Sequence, residues 1–380
     1  MELTSPYTPN GIKLASQFRD VRPHNHTLPF DVLGLIFHHI PKLGPTDLQP
    51  ILFVCNSWHE AVCRHCSLWS DIKLDYTIYT RFSVGDTFQE SLASNYLRCC
   101  LKYSGTMPLD ITMDFEQLVE MDIKSRIIAL LAVLVGRGEE HLARWRSFTW
   151  RAMCVESTAI ALAFLPSAIP NLQTVKIFDV FYDDDLQSAF PACPKLRTVE
   201  LYPYYQLILR EIDCSHVTEL KLGADYTWHI EHVEVLYKFS NVRRLTLFTG
   251  RYPWSIQPSD DLTTEILFPH LHSLRLYGES VWELVKNFKT PKLKELKFDE
   301  ISFLDLLKGV SLASTIESAH IQIRQRDIDS EVSYSEKVMG LFTVSPLLKH
   351  LRVPKWLHEE LESGDLCLEE RRVHVEVVPE

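Results

Sequence analysis

The chain has 380 residues, 46% of them hydrophobic, which is enough to bury a substantial core and points to two or three units rather than one. Its 50 acidic side chains against 39 basic ones give a formal charge of -11. That balance excludes a general electrostatic grip on nucleic acid or on an anionic membrane.

Residues 1–23 are rich in Ser, Thr, Pro and Asn and lack the basic start and apolar run of a secretory signal, so they read as a mobile lead. The longest apolar stretch, residues 127–135, is nine residues, about half the ~20 that span a bilayer. Nine cysteines, an odd number without regular spacing, fit reduced thiols. The expectation is an intracellular protein, cytoplasmic or nuclear, without a membrane span.

From Leu28 the pattern changes. Val32, Leu33, Ile36, Phe37 and Ile40 recur at helical spacing before Pro41 stops the run. Gly34 lies inside this helix at roughly 1 kcal/mol less favourable than Ala. A second helix carries Pro45 and Pro50 near its start and Leu48, Ile51, Leu52, Val54 and Cys55 as its apolar face. The segment "SWHEAVCRHCSLW" predicts a third, followed by the strand-like "DIKLD". Three short helices cannot bury this much apolar surface alone, so a partner surface is expected. Residues 75–140 are mixed, with helices predicted in "TFQESLASNYLRCCLKYSG" and "FEQLVEMDIKSRIIALLAVLV" and a short strand, "PLDITMD", between them.

From Trp145 one six-residue template recurs: an apolar residue, two variable ones, an apolar, a variable, an apolar. It reads "WRSFTW", "LQTVKI", "LRTVEL", "VTELKL", "VRRLTL", "LHSLRL", "LKELKF", "IESAHI" and "LKHLRV", at intervals of 21 to 32 residues. Several copies follow "PN", "PK", "SN" or "PH", a turn signal before a strand. Such spacing predicts a leucine-rich-repeat solenoid, in which each unit buries its apolar residues only by stacking on its neighbours. The alternating "RVHVEVV" near the end predicts a last strand.

Other chemistry finds less support. His59, Cys63, His65 and Cys66 lack the second ligand pair of a structural zinc site. "GRG" at 136–138 lacks the rest of a nucleotide fingerprint, and Asp183-Asp184-Asp185 lacks the spaced ligands of a calcium loop. No nucleophile stands in a recognisable context such as GxSxG. No cofactor, metal site or enzymatic activity is expected.

Side chains alternate along a strand, so the residue between the last two apolar positions of each repeat faces the opposite, concave side. In eight repeats this gives Lys176, Glu200, Lys221, Thr246, Arg275, Lys297, His320 and Arg352, five of them basic. Two residues on come Phe178, Tyr202, Gly223, Phe248, Tyr277 and Asp299, four of them aromatic. A basic column beside an aromatic one suits an acidic or phosphorylated peptide, with Lys176, Lys221, Arg275, Lys297, Phe178, Tyr202, Phe248 and Tyr277 as the candidate binding residues. The alternative stays open that exposed strand positions simply favour these residue types.

Leu28-Pro29, Leu33, Ile36-Phe37, Asp47-Leu48, Val54-Cys55, Trp58 and Leu68-Trp69, with Ile72 and Leu74 after them, form an ordered set that resembles an F-box, the adaptor-binding module of substrate receptors in cullin ubiquitin ligases. The remainder is similar to the divergent leucine-rich region behind the F-box in many proteins of mushroom-forming fungi. "YLRCCLKYSGTMPLDITM" and "HLARWRSFTW" fit that group too. The resemblance implies an α/β chain: a three-helix F-box module over 24–74, a connecting region over 75–140, and a leucine-rich-repeat domain with a curved parallel sheet over 141–380. It implies a Skp-family adaptor bound through Leu28, Pro29, Leu33, Ile36, Phe37, Leu48, Val54, Cys55, Trp58, Leu68 and Trp69, and through it cullin and RING subunits. The chain would then be a receptor for an unknown protein substrate or, in the other reading, a non-catalytic interaction scaffold.

Overall fold

A computed structural model of the protein describes residues 28–39, 48–75, 83–84, 87–88, 90–115, 123–152, 155–165, 168–179, 191–202, 213–224, 236–249, 265–278, 281–299, 314–322, 334–363 and 373–378. The predicted lead, Ile40, Pro41, Pro45 and Asp47, and the acid triplet at 183–185 lie outside these residues. The chain divides into two compact units. The first comprises Met1–Ile72 with Cys99–Met107, and the second Lys73–Arg98 with Pro108–Glu380.

In the first unit, helices α1 (Phe30–His39), α2 (Gln49–Leu52) and α3 (Asn56–Arg64) are followed by a 3-10 turn, Cys66–Trp69. Pro50 sits in the first turn of α2, where its missing N–H is harmless. Leu33, Phe37, Leu48, Ile51, Ala61, Val62 and Trp69 form the core. Phe37 meets the edge of Trp58 at 5.2 Å between ring centroids, and Trp69 donates its indole N–H to the Val62 carbonyl at 2.9 Å.

Gly34, which helix propensity alone disfavours, has a steric reason. The His65 ring passes so close that a Cβ at Gly34 would lie 2.0 Å from Nε2. That nitrogen donates to the Phe30 carbonyl at 2.9 Å, which requires its proton on Nε2.

A twelve-stranded sheet runs β1 (Asp71–Leu74), β4 (Leu109–Asp114), β5 (Trp145–Ala152), β6 (Thr174–Asp179), β7 (Thr198–Tyr202), β8 (Glu219–Ala224), β9 (Arg244–Thr249), β11 (Ser273–Tyr277), β13 (Glu295–Phe298), β14 (Ser318–Ile321), β15 (His350–Pro354) and β16 (His374–Val378). From β4 onward each pair is parallel. Short pairs β2 (Ser83–Val84) with β3 (Thr87–Phe88) and β10 (Ile266–Leu267) with β12 (Phe288–Lys289) stand apart. Helices α4 (Glu90–Tyr103), α5 (Ile123–Val135), α6 (Val155–Phe164), α7 (Val281–Val285), α8 (Tyr334–Val344) and α9 (Lys355–Ser363), with 3-10 turns Arg137–Glu139 and Leu142–Arg144, complete the described elements.

The nine template segments coincide with strands β5, β6, β7, β8, β9, β11, β13, β14 and β15, and "RVHVEVV" with β16. "PLDITMD" becomes β4 and joins the same sheet, so the sheet begins before the first copy of the template. Their apolar positions stack in register: Val175, Val199, Leu220, Leu245, Leu274, Leu296, Ala319 and Leu351 form one buried row, and Ile177, Leu201, Leu222, Leu247, Leu276, Phe298 and Ile321 a second.

The first apolar residue of eight of the nine copies closes the same turn. Trp145, Leu172, Leu196, Val217, Val242, Leu271, Leu293 and Leu348 each donate their N–H to the carbonyl three residues back. The Asn of "PN" and "SN" links neighbouring repeats. Asn171 and Asn241 donate to the carbonyls of Ala143 and Ser215, tying one turn to the turn before it.

Candidate functional site

The first unit presents an apolar surface on α1. One turn-by-turn stripe of that helix, Leu33 and Phe37, is buried, while Val32, Leu35 and Ile36 on its other side are exposed, continued by Leu28 ahead of the helix. A helix apolar on both sides needs cover on both. Phe53, 82% exposed, and Val54 add a second step in the turn between α2 and α3. Six of the thirteen exposed large hydrophobics among the described residues thus fall within residues 28–54, a concentration of the kind that marks a binding surface.

The sequence-predicted adaptor residues therefore divide. Leu28, Pro29, Ile36 and Val54 are exposed, Cys55, Trp58 and Leu68 are half-buried, and Leu33, Phe37, Leu48 and Trp69 belong to the core. Sequence reasoning missed Leu35, because it assigned a single apolar face to a helix that has two, although the density of large apolar residues from 32 to 37 was an available signal. It also missed Phe53, which lies in the turn after α2 rather than on a helix face.

In the second unit the face opposite the buried rows carries the predicted column in one register: Lys176, Glu200, Lys221, Thr246, Arg275, Lys297, His320, Arg352 and Glu376 lie opposite one another on successive strands. Its charges are unevenly used. Glu200, whose side chain is only 15% exposed, stands between Lys176 and Lys221 at 3.5 and 3.4 Å. Arg352 meets Glu376 at 2.7 Å, and in the row beside the column Arg244 meets Glu219 at 2.7 Å. Among the described residues, Arg275 and Lys297 have no carboxylate within ion-pair distance.

The predicted aromatics are also brought to one row. Tyr202 and Phe248, on β7 and β9, stack at 5.1 Å across β8, where Gly223 leaves the gap; a Cβ there would lie 2.2 Å from each ring. Phe178 carries the Arg151 guanidinium 4.4 Å from its centroid, and Lys297 lies 6.0 Å from that of Tyr277. Burial raises the Tyr277 phenol above its ordinary pKa. These rings are thus engaged with neighbours on the face rather than splayed.

The stretch from 26 to 75 matches the F-box-like family. Comparison with curated protein sequences gives no match. F-box domains are typically non-catalytic modules of protein interaction and commonly bind Skp-family adaptors. Among the described residues no three His, Cys, Asp or Glu side chains group as metal ligands, and no helix is long and apolar enough to cross a membrane.

Proposed function

We propose that the protein is the substrate receptor of a cullin-RING ubiquitin ligase of the SCF type. The F-box-like unit docks a Skp-family adaptor, which links it to cullin and RING subunits. The second unit is a leucine-rich-repeat arc whose exposed sheet face holds the protein substrate. What carries the adaptor half of this reading is the exposed set Leu28, Val32, Leu35, Ile36, Phe53 and Val54 inside a stretch that matches the F-box-like family. Covering these side chains removes from water apolar area that the unit itself leaves exposed, which favours association. Leu33, Phe37, Leu48 and Trp69 serve by shaping the unit beneath that surface. The repeat reading is supported by the recurring turn and the register of the nine template segments.

The test is co-expression with a Skp-family adaptor and size-exclusion chromatography of wild type beside Leu35→Glu with Phe53→Glu. The expected result is a 1:1 complex that the surface variant loses while keeping its melting temperature. A wild-type chain that elutes alone and folded removes the adaptor reading. Adaptor bound without cullin recruitment would leave an interaction scaffold instead of a ligase receptor.

A further inference from the structure

The cations of the sheet face are not equivalent. Lys176 and Lys221 share Glu200, Arg244 holds Glu219 and Arg352 holds Glu376, whereas Arg275 and Lys297, directly opposite each other on β11 and β13, hold no carboxylate among the described residues. Beside Arg275 the face opens into a recess of about 250 Å³ lined by Glu219, Arg244, Leu245, Thr246, Ser273 and Arg275. Ser273, two residues before Arg275 on the same face, has its Oγ buried with no hydrogen-bond partner. Burial, and then the charge of Arg275, hold the Lys297 ammonium below its ordinary pKa. On the far side of Lys297, His320 has its Nε2 buried without a partner. Two cations without a carboxylate and two buried polar atoms without a hydrogen-bond partner thus lie on neighbouring strands of this face.

We propose that Ser273, Arg275 and Lys297 form a seat for a phosphoryl dianion carried on a phosphorylated segment of the protein substrate. The proposal rests on the receptor reading of the second unit and narrows it to one locus. The seat offers a guanidinium fork, an ammonium and a hydroxyl, which suits a group of nearly two negative charges and three acceptor oxygens better than a carboxylate of one charge. Glu219 in the recess wall is already held by Arg244, and Glu295 lies opposite Ser273. Those two carboxylates confine the favourable region to the Arg275–Lys297 pair and disfavour a long acidic segment.

The experiment passes the purified full chain over three immobilised degenerate peptide pools that differ only in a central phosphoserine, serine or glutamate. Wild type is expected to bind the phosphoserine pool at least tenfold better than the others. Arg275→Ala and Lys297→Ala should each lose tenfold or more, Arg275→Lys should recover part of the loss, and Lys349→Ala, away from the seat, should stay within twofold. Melting temperatures identify any variant that fails to fold, and Arg275→Lys then decides. Wild type that binds the three pools alike, or none, overturns the proposal, as does full binding by folded Arg275→Ala. Adaptor co-elution is scored on the same samples: its loss with phosphoserine binding intact sinks the ligase reading and leaves the seat, and the converse sinks the seat alone.

Discussion

Gly34 and His65 show how two residues set each other's limits. Replacing a helical glycine with alanine normally gains roughly 1 kcal/mol. Here the new Cβ would meet the His65 ring at 2.0 Å, and moving that ring breaks its hydrogen bond to the Phe30 carbonyl. Overpacking typically costs about 1 to 3 kcal/mol and the hydrogen bond about 1 more, so the loss wins. Gly34→Ala should lower stability in urea denaturation, whereas in a His65→Ala background the same change should be neutral or stabilising. A stabilised Gly34→Ala single variant would contradict the packing. Gly223→Ala follows the same logic, since its Cβ would enter the Tyr202–Phe248 stack; a fall in melting temperature is expected where strand propensity alone predicts a rise. The cysteines supply a third case. Burial pushes the Cys193 and Cys214 thiols up to about 12, while Cys99 is exposed. At pH 8.5 the buried pair are therefore thiolate in only about one molecule in several thousand. Iodoacetamide with mass spectrometry should modify Cys99 first and reach Cys193 and Cys214 only after urea. Because folding raises these two pKa values, the stability they contribute is complete below the ordinary thiol range and is lost as pH climbs toward 12.

At the scale of elements, the strands were readable in the sequence because an alternation of apolar residues marks each of them and, on several, a turn signal stands just ahead of it. The turn recurs as one hydrogen bond, from Leu172 N–H to Ile169 through Leu348 N–H to Ser345. β4 was readable as a strand but not as a member of the sheet, since it lacks the template that marks the others. The second apolar side of α1 showed only as a density of large apolar residues from 32 to 37, because periodicity reports that a face exists and not how many partners the helix has. Charge pairing within the column also escaped. In sequence Glu200 is one acidic residue in a basic row, yet its position between two lysines pairs it with both neighbours and leaves one positive charge where the sequence counts two. Exposed pairs contribute only about 0.2 to 1 kcal/mol each, and here one carboxylate serves two. Glu200→Gln leaves the two ammonium groups facing each other and should destabilise by about 1 kcal/mol, more than Lys176→Gln does, with the difference widening at low ionic strength. Equal effects of the two changes in urea titrations would show that Glu200 holds neither lysine.

For the molecule as a whole, the two compact units have separate sources of stability. The first, roughly 80 residues, rests on a small core around Leu33, Phe37, Leu48, Ile51 and Trp69. At about 0.05 to 0.15 kcal/mol per residue it has about 4 to 12 kcal/mol in total. Truncating one buried aromatic removes about 3 to 5 of that, so Phe37→Ala takes away a large share of the first unit's stability. The second unit rests on stacked rows, in which Leu247 touches Leu222 and Leu276 in register and its loss is felt by neighbouring strands first. Two substitutions, one in each core, test whether the two activities separate. Phe37→Ala should abolish adaptor co-elution while phosphoserine-peptide binding persists within about twofold. Leu247→Ala, which opens a cavity two strands from Lys297, should weaken phosphoserine binding while adaptor co-elution is retained. Loss of both activities in Phe37→Ala would mean that the cores are energetically one, and the division of labour between an adaptor-docking unit and a substrate-holding unit would have to be abandoned.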